Sequence, residues 1–390
     1  MLCILPPDAN AGTILSSLGM GAPAPSPSVR SMGMGGLSIA YAHPMNLSRT
    51  NPAAIHLIDR SLLSAQYLYE NNRYKDANGN ALSQYSNFEG FNFAVPFGSG
   101  FGFGFGLVPL TRVDYHLSFE QELDGYAYTK GIEATGGLNT FELSVFGSVS
   151  WFLSLGLTGR YIFGQHEEVW SIAYADAGFE STEDRFSTQN GGFGFTAGLL
   201  LKPLSRLAIG AVISPKSTLD MQIETANGYE EDADPDTHES TLTLPSSWGV
   251  GLTYRFEGFG TVGVEYEYRD WTLLRIGDNV AEGMNTSGRI GLGCEIQTST
   301  NPLDSFFSRM AYRMGVSYQP YFATDTEGRD IREIWFTTGL GIPLFMNAAN
   351  VDMAFSYGLR GSVDTNGLQE NLFRLSVSIT AGEKWFIRRY

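Results

Sequence analysis

The stretch Val262-Gly263-Val264-Glu265-Tyr266-Glu267-Tyr268-Arg269 puts Val, Val, Tyr and Tyr on one face and Gly, Glu, Glu and Arg on the other. A period of two marks an extended strand with one apolar and one wet face. The pattern recurs on both sides. Upstream, Val250, Leu252, Tyr254 and Phe256 oppose Gly249, Gly251, Thr253 and Arg255; downstream, Ile290, Leu292, Cys294 and Ile296 oppose Arg289, Gly291, Gly293 and Glu295. Tyr312, Met314, Val316 and Tyr318 oppose Ala311, Arg313, Gly315 and Ser317. Near the C-terminus Phe373, Leu375, Val377 and Ile379 oppose Arg374, Ser376, Ser378 and Thr380.

Alternation alone also fits a soluble sandwich, so length, bulk and connections decide. Many runs reach ~10 residues, against ~5–6 for common soluble strands. At ~3.3 Å per residue and ~40° tilt they rise ~25 Å, the height of the apolar band of an outer-membrane barrel. Turning Arg269 towards lipid would alone cost up to ~2–4 kcal/mol, so the polar faces must line an interior. Strands are expected near 60–70, 88–97, 100–110, 138–150, 152–163, 190–202, 205–214, 244–256, 259–270, 286–297, 310–319, 332–343, 350–360 and 371–382. Long connections (71–87, 111–137, 164–189, 215–243, 271–285, 320–331, 361–370) alternate with short ones such as Gly98-Ser99, Ser150-Trp151, Pro203-Leu204 and Gly258; only 298–309 is long on the short side. The expected fold is all-β, a transmembrane antiparallel up-and-down β-barrel of about fourteen strands in the bacterial outer membrane, with both ends periplasmic.

Composition agrees. Of 390 residues only 17% are charged, 13% are aromatic and 46 are glycine. No run approaches the ~18 apolar residues of a spanning helix. The net charge of −16 argues against a nucleic-acid partner. Cys3 and Cys294 make neither a disulfide framework nor a zinc site, and Cys294 is expected to face lipid. His43, His56, His116, His166 and His238 are scattered, none beside an inward serine, so no catalytic set, metal site or cofactor is expected. The acidic run Glu230-Glu231-Asp232-Ala233-Asp234-Pro235-Asp236 lacks the glycine and terminal glutamate of a calcium loop and reads as solvated surface.

Ahead of the first strand, Ala9-Asn10-Ala11 fits a signal-cleavage pattern. The expected organisation is therefore a residual signal peptide at 1–11, a plug at 12–59 and the barrel at 60–390. The 12–59 segment is glycine-rich and carries mixed apolar and turn residues. It reads as a plug because side chains alone do not fill so wide a barrel.

Met32-Gly33-Met34-Gly35-Gly36, Ala40, Ala42 and Asn46-Leu47-Ser48-Arg49-Thr50-Asn51-Pro52-Ala53 resemble the N-terminal hatch of the FadL family of outer-membrane long-chain fatty acid transporters. Ile58-Asp59-Arg60, Leu244-Pro245-Ser246-Ser247-Trp248-Gly249-Val250-Gly251 and Glu265-Tyr266-Glu267-Tyr268-Arg269-Asp270-Trp271 extend the likeness. The resemblance implies passive uptake of hydrophobic molecules such as long-chain fatty acids, captured in the lumen and released sideways where the third strand kinks. Gly102, Gly104, Gly106 and Pro109 are the candidates for that kink; equally, the glycines could simply pack beneath aromatics. Four apolar residues interrupt the polar inner face: Phe146, Ile162, Leu200 and Trp335. They are candidates for lining a ligand site, with Arg160 or Arg313 meeting a carboxylate, or else for packing against the hatch. The implied partners are the lipid bilayer, lipopolysaccharide and a hydrophobic small molecule, with the chain acting as a monomer. Two alternatives stay open: a PorV-like component serving protein secretion or surface attachment, and a water-filled porin, against which the hatch argues. The terminal Tyr390 suits an assembled barrel.

Overall fold

The computed structural model describes residues 20–385 apart from 26, 78, 98–99, 124–125, 175–179 and 229–234. The expected signal remnant, the Gly98-Ser99 turn, most of the acidic run and Tyr390 lie outside the described residues. The wall is one closed antiparallel sheet of fourteen strands. In chain order these are β1 (Ser61–Asp76), β2 (Asn80–Phe97), β3 (Phe101–Pro109 and Thr111–Leu123), β4 (Tyr126–Ser148), β5 (Leu153–Tyr174), β6 (Thr182–Leu204) and β7 (Leu207–Ser214 and Ser217–Ala226). They continue as β8 (Asp236–Leu244 and Ser247–Phe256), β9 (Gly260–Asp270), β10 (Thr286–Ile296), β11 (Ala311–Thr324), β12 (Asp330–Leu344), β13 (Ala349–Ser362) and β14 (Leu368–Glu383). Each pairs with its neighbours, and β1 pairs with β14 from Ser61↔Glu383 to Asp76↔Leu368, which closes the ring.

The alternation read from the sequence sorts the wall into faces. Trp248, Val250 and Leu252 are 40–46% exposed on the outside, whereas Glu265 and Arg313 are 2% exposed within. An outer surface this apolar is compatible with lipid and not with water. No described helix is long and apolar enough to cross a membrane; the crossing elements are strands.

Strand ends differ from expectation on one side of the barrel. Most of 111–137, 164–189 and 215–243, read as loops, is hairpin: β4 and β5 stay paired from Ser148↔Ser154 out to Tyr128↔Tyr174. Beyond the bilayer both faces of a strand meet water. The apolar alternation fades there although the ladder continues, as in Gln165-His166-Glu167-Glu168 of β5. The alternation marks contact with lipid rather than the extent of the strand.

Residues 20–58 lie inside the ring. A turn of helix at Val29–Met32 starts at Ser28, whose side chain accepts from Ser31 N. A 3-10 stretch at Pro52–Leu57 starts at Asn51, whose side chain accepts from Ala53 N. The wall makes room with glycine. A Cβ on Gly293 or Gly315 would collide with the backbone of Met34 and Gly35, and one on Gly156 would stand 2.5 Å from Ala53 N. Gly35 itself has φ +65, a conformation that disfavours other residues at the point of closest approach.

Candidate functional site

The inner segment forms a charged floor. Arg313 meets Glu295 and Asp352, both at 2.7 Å; Arg30 meets the same acids at 3.1 and 3.6 Å. Tyr41 donates its hydroxyl to Glu295 at 2.7 Å. Glu265 accepts from the backbone N–H groups of Ser38 and Ile39 at 2.7 and 3.0 Å, and also takes Arg289. Asn51 donates to the carbonyls of Ile39 and Leu199 at 2.7 and 3.1 Å, so one side chain ties two parts of the segment to the wall. Buried charges are costly, and opposite charges held this close offset the cost. His56 approaches Lys202 at 2.8 Å, and burial together with that ammonium lowers its pKa to about 4.

Towards the loop end a second layer packs across the lumen. Leu138, Ile162, Leu219, Met221, Leu242 and Leu244 from the inner wall join Trp271, Leu274 and Met284, from the connection between β9 and β10, and Tyr321 and Phe322 of β11 in one apolar cluster. The connection is anchored by pairing of Arg275–Ile276 with Leu242–Thr243 and by a bridge from Met284 to Ala323. Between floor and cap lies a cavity of about 290 Å3 lined by arginines and glutamates, including Arg160, Glu142, Arg269, Arg374, Glu70 and Arg49, with Trp271, Trp335, Tyr321 and Phe322.

The wall parts at its third strand. Up to Phe91↔Leu107, β2 and β3 are paired. Past Leu110, β3 stays on β4, from Val113↔Gly136 to Leu123↔Tyr126, whereas Asn80–Lys75 through Phe88–Tyr67 keep the rest of β2 on β1 alone. A bulge in β2 starts the divergence at Gly90, where φ is +91 and a Cβ would run into the Leu107 carbonyl. Pro109, lacking a donor, precedes the break. Ala22–Pro23 of the inner segment pairs with Arg112 and Thr111 there, and Ala24 N donates to Leu110 O at 2.9 Å. Pro109, Leu110 and Arg112 also line the cavity, so the break borders it.

The residues singled out from sequence do not converge on one site. Gly33, Gly35 and Gly36 touch β12, β11 and Arg289 of β10 respectively, and Pro52 and Ala53 press on Gly156 of β5. Gly102, Gly104 and Gly106 face inwards against Phe146, Ala94 and Asn92. Phe146 packs with Leu47, Ile55 and Ile58, and Leu200 with Ala40 and Ala53, so both lie under the inner segment. Ile162 belongs to the cap. Trp335 reaches the cavity, where its Nε1 donates to Glu333 at 2.7 Å and the Arg374 guanidinium stacks on its ring. Arg160 lines the cavity, paired to Glu142 at 3.0 Å, while Arg313 is consumed by the floor. The cap went unanticipated, although Trp271-Thr272-Leu273-Leu274 inside a polar connection and the adjacent Tyr321-Phe322 breaking the alternation both signalled it.

A family model described as BamG matches residues 9–390. No curated protein matches the sequence. Among solved structures, a FadL homologue of Pseudomonas aeruginosa superposes with a TM-score of 0.61 at 15% identity, covering 93% of this chain and 99% of its own. The Ralstonia pickettii toluene transporter TbuX gives 0.61 at 14% identity over 91% and 98%. The P. putida toluene transporter TodX gives 0.60 at 12% identity over 93% and 100%. These superpositions establish a shared fold. With the apolar outer face, that fold places the chain in the bacterial outer membrane.

Proposed function

The chain belongs to the BamG family, and from that footing we propose that it is an outer-membrane channel for passive uptake of hydrophobic molecules, which pass through its wall rather than along its axis. The observation that carries this reading is the parting of β2 and β3 beside a cavity that lies between the charged floor and the apolar cap. The inner segment acts as the hatch. The route supports small hydrophobic cargo, either long-chain fatty acids or aromatic hydrocarbons such as the toluene named for TbuX and TodX. The barrel works as a monomer, with lipopolysaccharide around its long hairpins.

The test is complementation of a transport-deficient bacterial host, with folding at the surface measured in parallel. Growth on a long-chain fatty acid, or uptake of labelled toluene, is the expected outcome. A correctly folded barrel that restores neither removes the reading.

A second reading, a PorV-like component serving protein secretion or surface attachment, draws on the floor. Ion pairs of Arg30 with Glu295 and Asp352 fix the inner segment to the wall, and the cavity lining is more charged than a hydrophobic conduit needs. Recovery of one stoichiometric outer-membrane protein partner from gently solubilised membranes would favour it.

A further inference from the structure

Most cations around the cavity are matched. Arg374 and Arg112 share Glu70, Arg360 takes Glu333 and Glu370, Arg289 takes Glu265 and Glu267, and Arg160 takes Glu142. Two are not. Arg49, on the inner segment, is 9% exposed, and its Nε and Nη1 have no hydrogen-bond partner; Nη2 reaches only the Pro109 carbonyl at 3.4 Å. Arg269, on β9, donates to Ser247 Oγ at 3.1 Å and stacks on Trp271. Among the described residues neither has a carboxylate within ion-pairing distance. The hydroxyl of Thr50, also 9% exposed, lacks a partner as well. All three residues line the same cavity, and Arg160 lies within electrostatic range of both arginines.

Burial of an unmatched guanidinium is unfavourable; Arg49 and the free Thr50 hydroxyl leave donors aimed at nothing, on a cavity that also holds Arg269, a cation without a carboxylate. We propose that the cavity is a phosphoryl-binding site, with Arg49, Thr50 and Arg269 as its donors. Guanidinium groups pair bidentately with phosphate oxygens, and donors arriving from two walls suit three terminal oxygens better than the two of a carboxylate. The acids facing Arg49 are Glu142, held by Arg160, and Glu89, whose oxygens make no hydrogen bond. The phosphoryl group has two conceivable sources. A lipid phosphate headgroup could arrive from the membrane through the break between β2 and β3, or a soluble phosphate ester could enter alone. The site stands apart from the uptake reading, since binding needs no release.

The test titrates the folded barrel, in detergent and chloride buffer, with inorganic phosphate, glycerol 3-phosphate and dihexanoyl phosphatidate by calorimetry. Saturable one-to-one binding is expected. Arg49→Gln and Arg269→Gln should each weaken it by about tenfold or more, as loss of a charge-assisted pair does, with Arg49→Lys intermediate. Arg206→Gln, at an exposed arginine paired with Glu257, should leave it unchanged. Each variant is first checked for the heat-dependent gel shift of a closed barrel. Phosphatidate binding about tenfold tighter than phosphate assigns the headgroup source; equal affinities assign the soluble ester. Absence of saturable binding for all three probes, or binding undiminished in both glutamine variants, overturns the proposal.

Discussion

Asn51 shows how much a single side chain can fix. It accepts from Ala53 N and donates to two carbonyls, one on the inner segment and one on β6. Asn51→Ala should cost about 2–3 kcal/mol, since buried partners are left unmatched; urea unfolding of the detergent-solubilised barrel reads it. Arg313→Ala leaves Glu295 and Asp352 to share Arg30 alone and should cost about 3 kcal/mol in the same assay. His56 supplies a pH dependence. Its folded pKa, near 4, lies below the ordinary value of 6.5, so the unfolded chain takes the proton first as pH falls. Its contribution to stability is intact above 6.5 and is lost between 6.5 and about 4. His56→Asn should therefore lose less stability than the parent between pH 7 and pH 4.5, in unfolding midpoints measured at both. The sequence showed which residues point inwards, because alternation sets that. It could not show their depth, so Phe146 and Trp335 looked equivalent although one lies beneath the floor and the other in the cavity.

At the scale of elements, the decisive feature is the two strand edges left without partners. The amides of Asn80–Gly90 that face β3, and those of Val113–Leu123 that face β2, have no ladder bonds among the described residues. They should exchange with deuterium orders of magnitude faster than those buried in the β4–β5 ladder. Equal protection would mean that the wall is closed there. Pro109 and the alternate glycines hinted at this location, but the divergence starts at the Gly90 bulge, a backbone conformation that a lone glycine among many does not advertise. The cap escaped for a related reason: its residues come from strand tops and one long connection, and only packing across the lumen unites them.

For the whole molecule, a floor and a cap packed across the lumen predict little steady ion current in planar bilayers. Removal of residues 20–58 should raise conductance severalfold if the barrel still closes, as voids of this width fill with water. Ring closure itself was plain in the sequence, because lipid imposes alternation on every crossing and the connections keep their phase. The β1–β14 seam has one more consequence. The strand that seals the ring is synthesised after the segment it encloses, and that segment touches the wall through backbone atoms at Gly293 and Gly315. Such a fit leaves no passage for threading a chain in afterwards. A wall this closely fitted to its contents is expected to form around them, so removal of residues 20–58 should slow closure of the seam in refolding followed by gel shift.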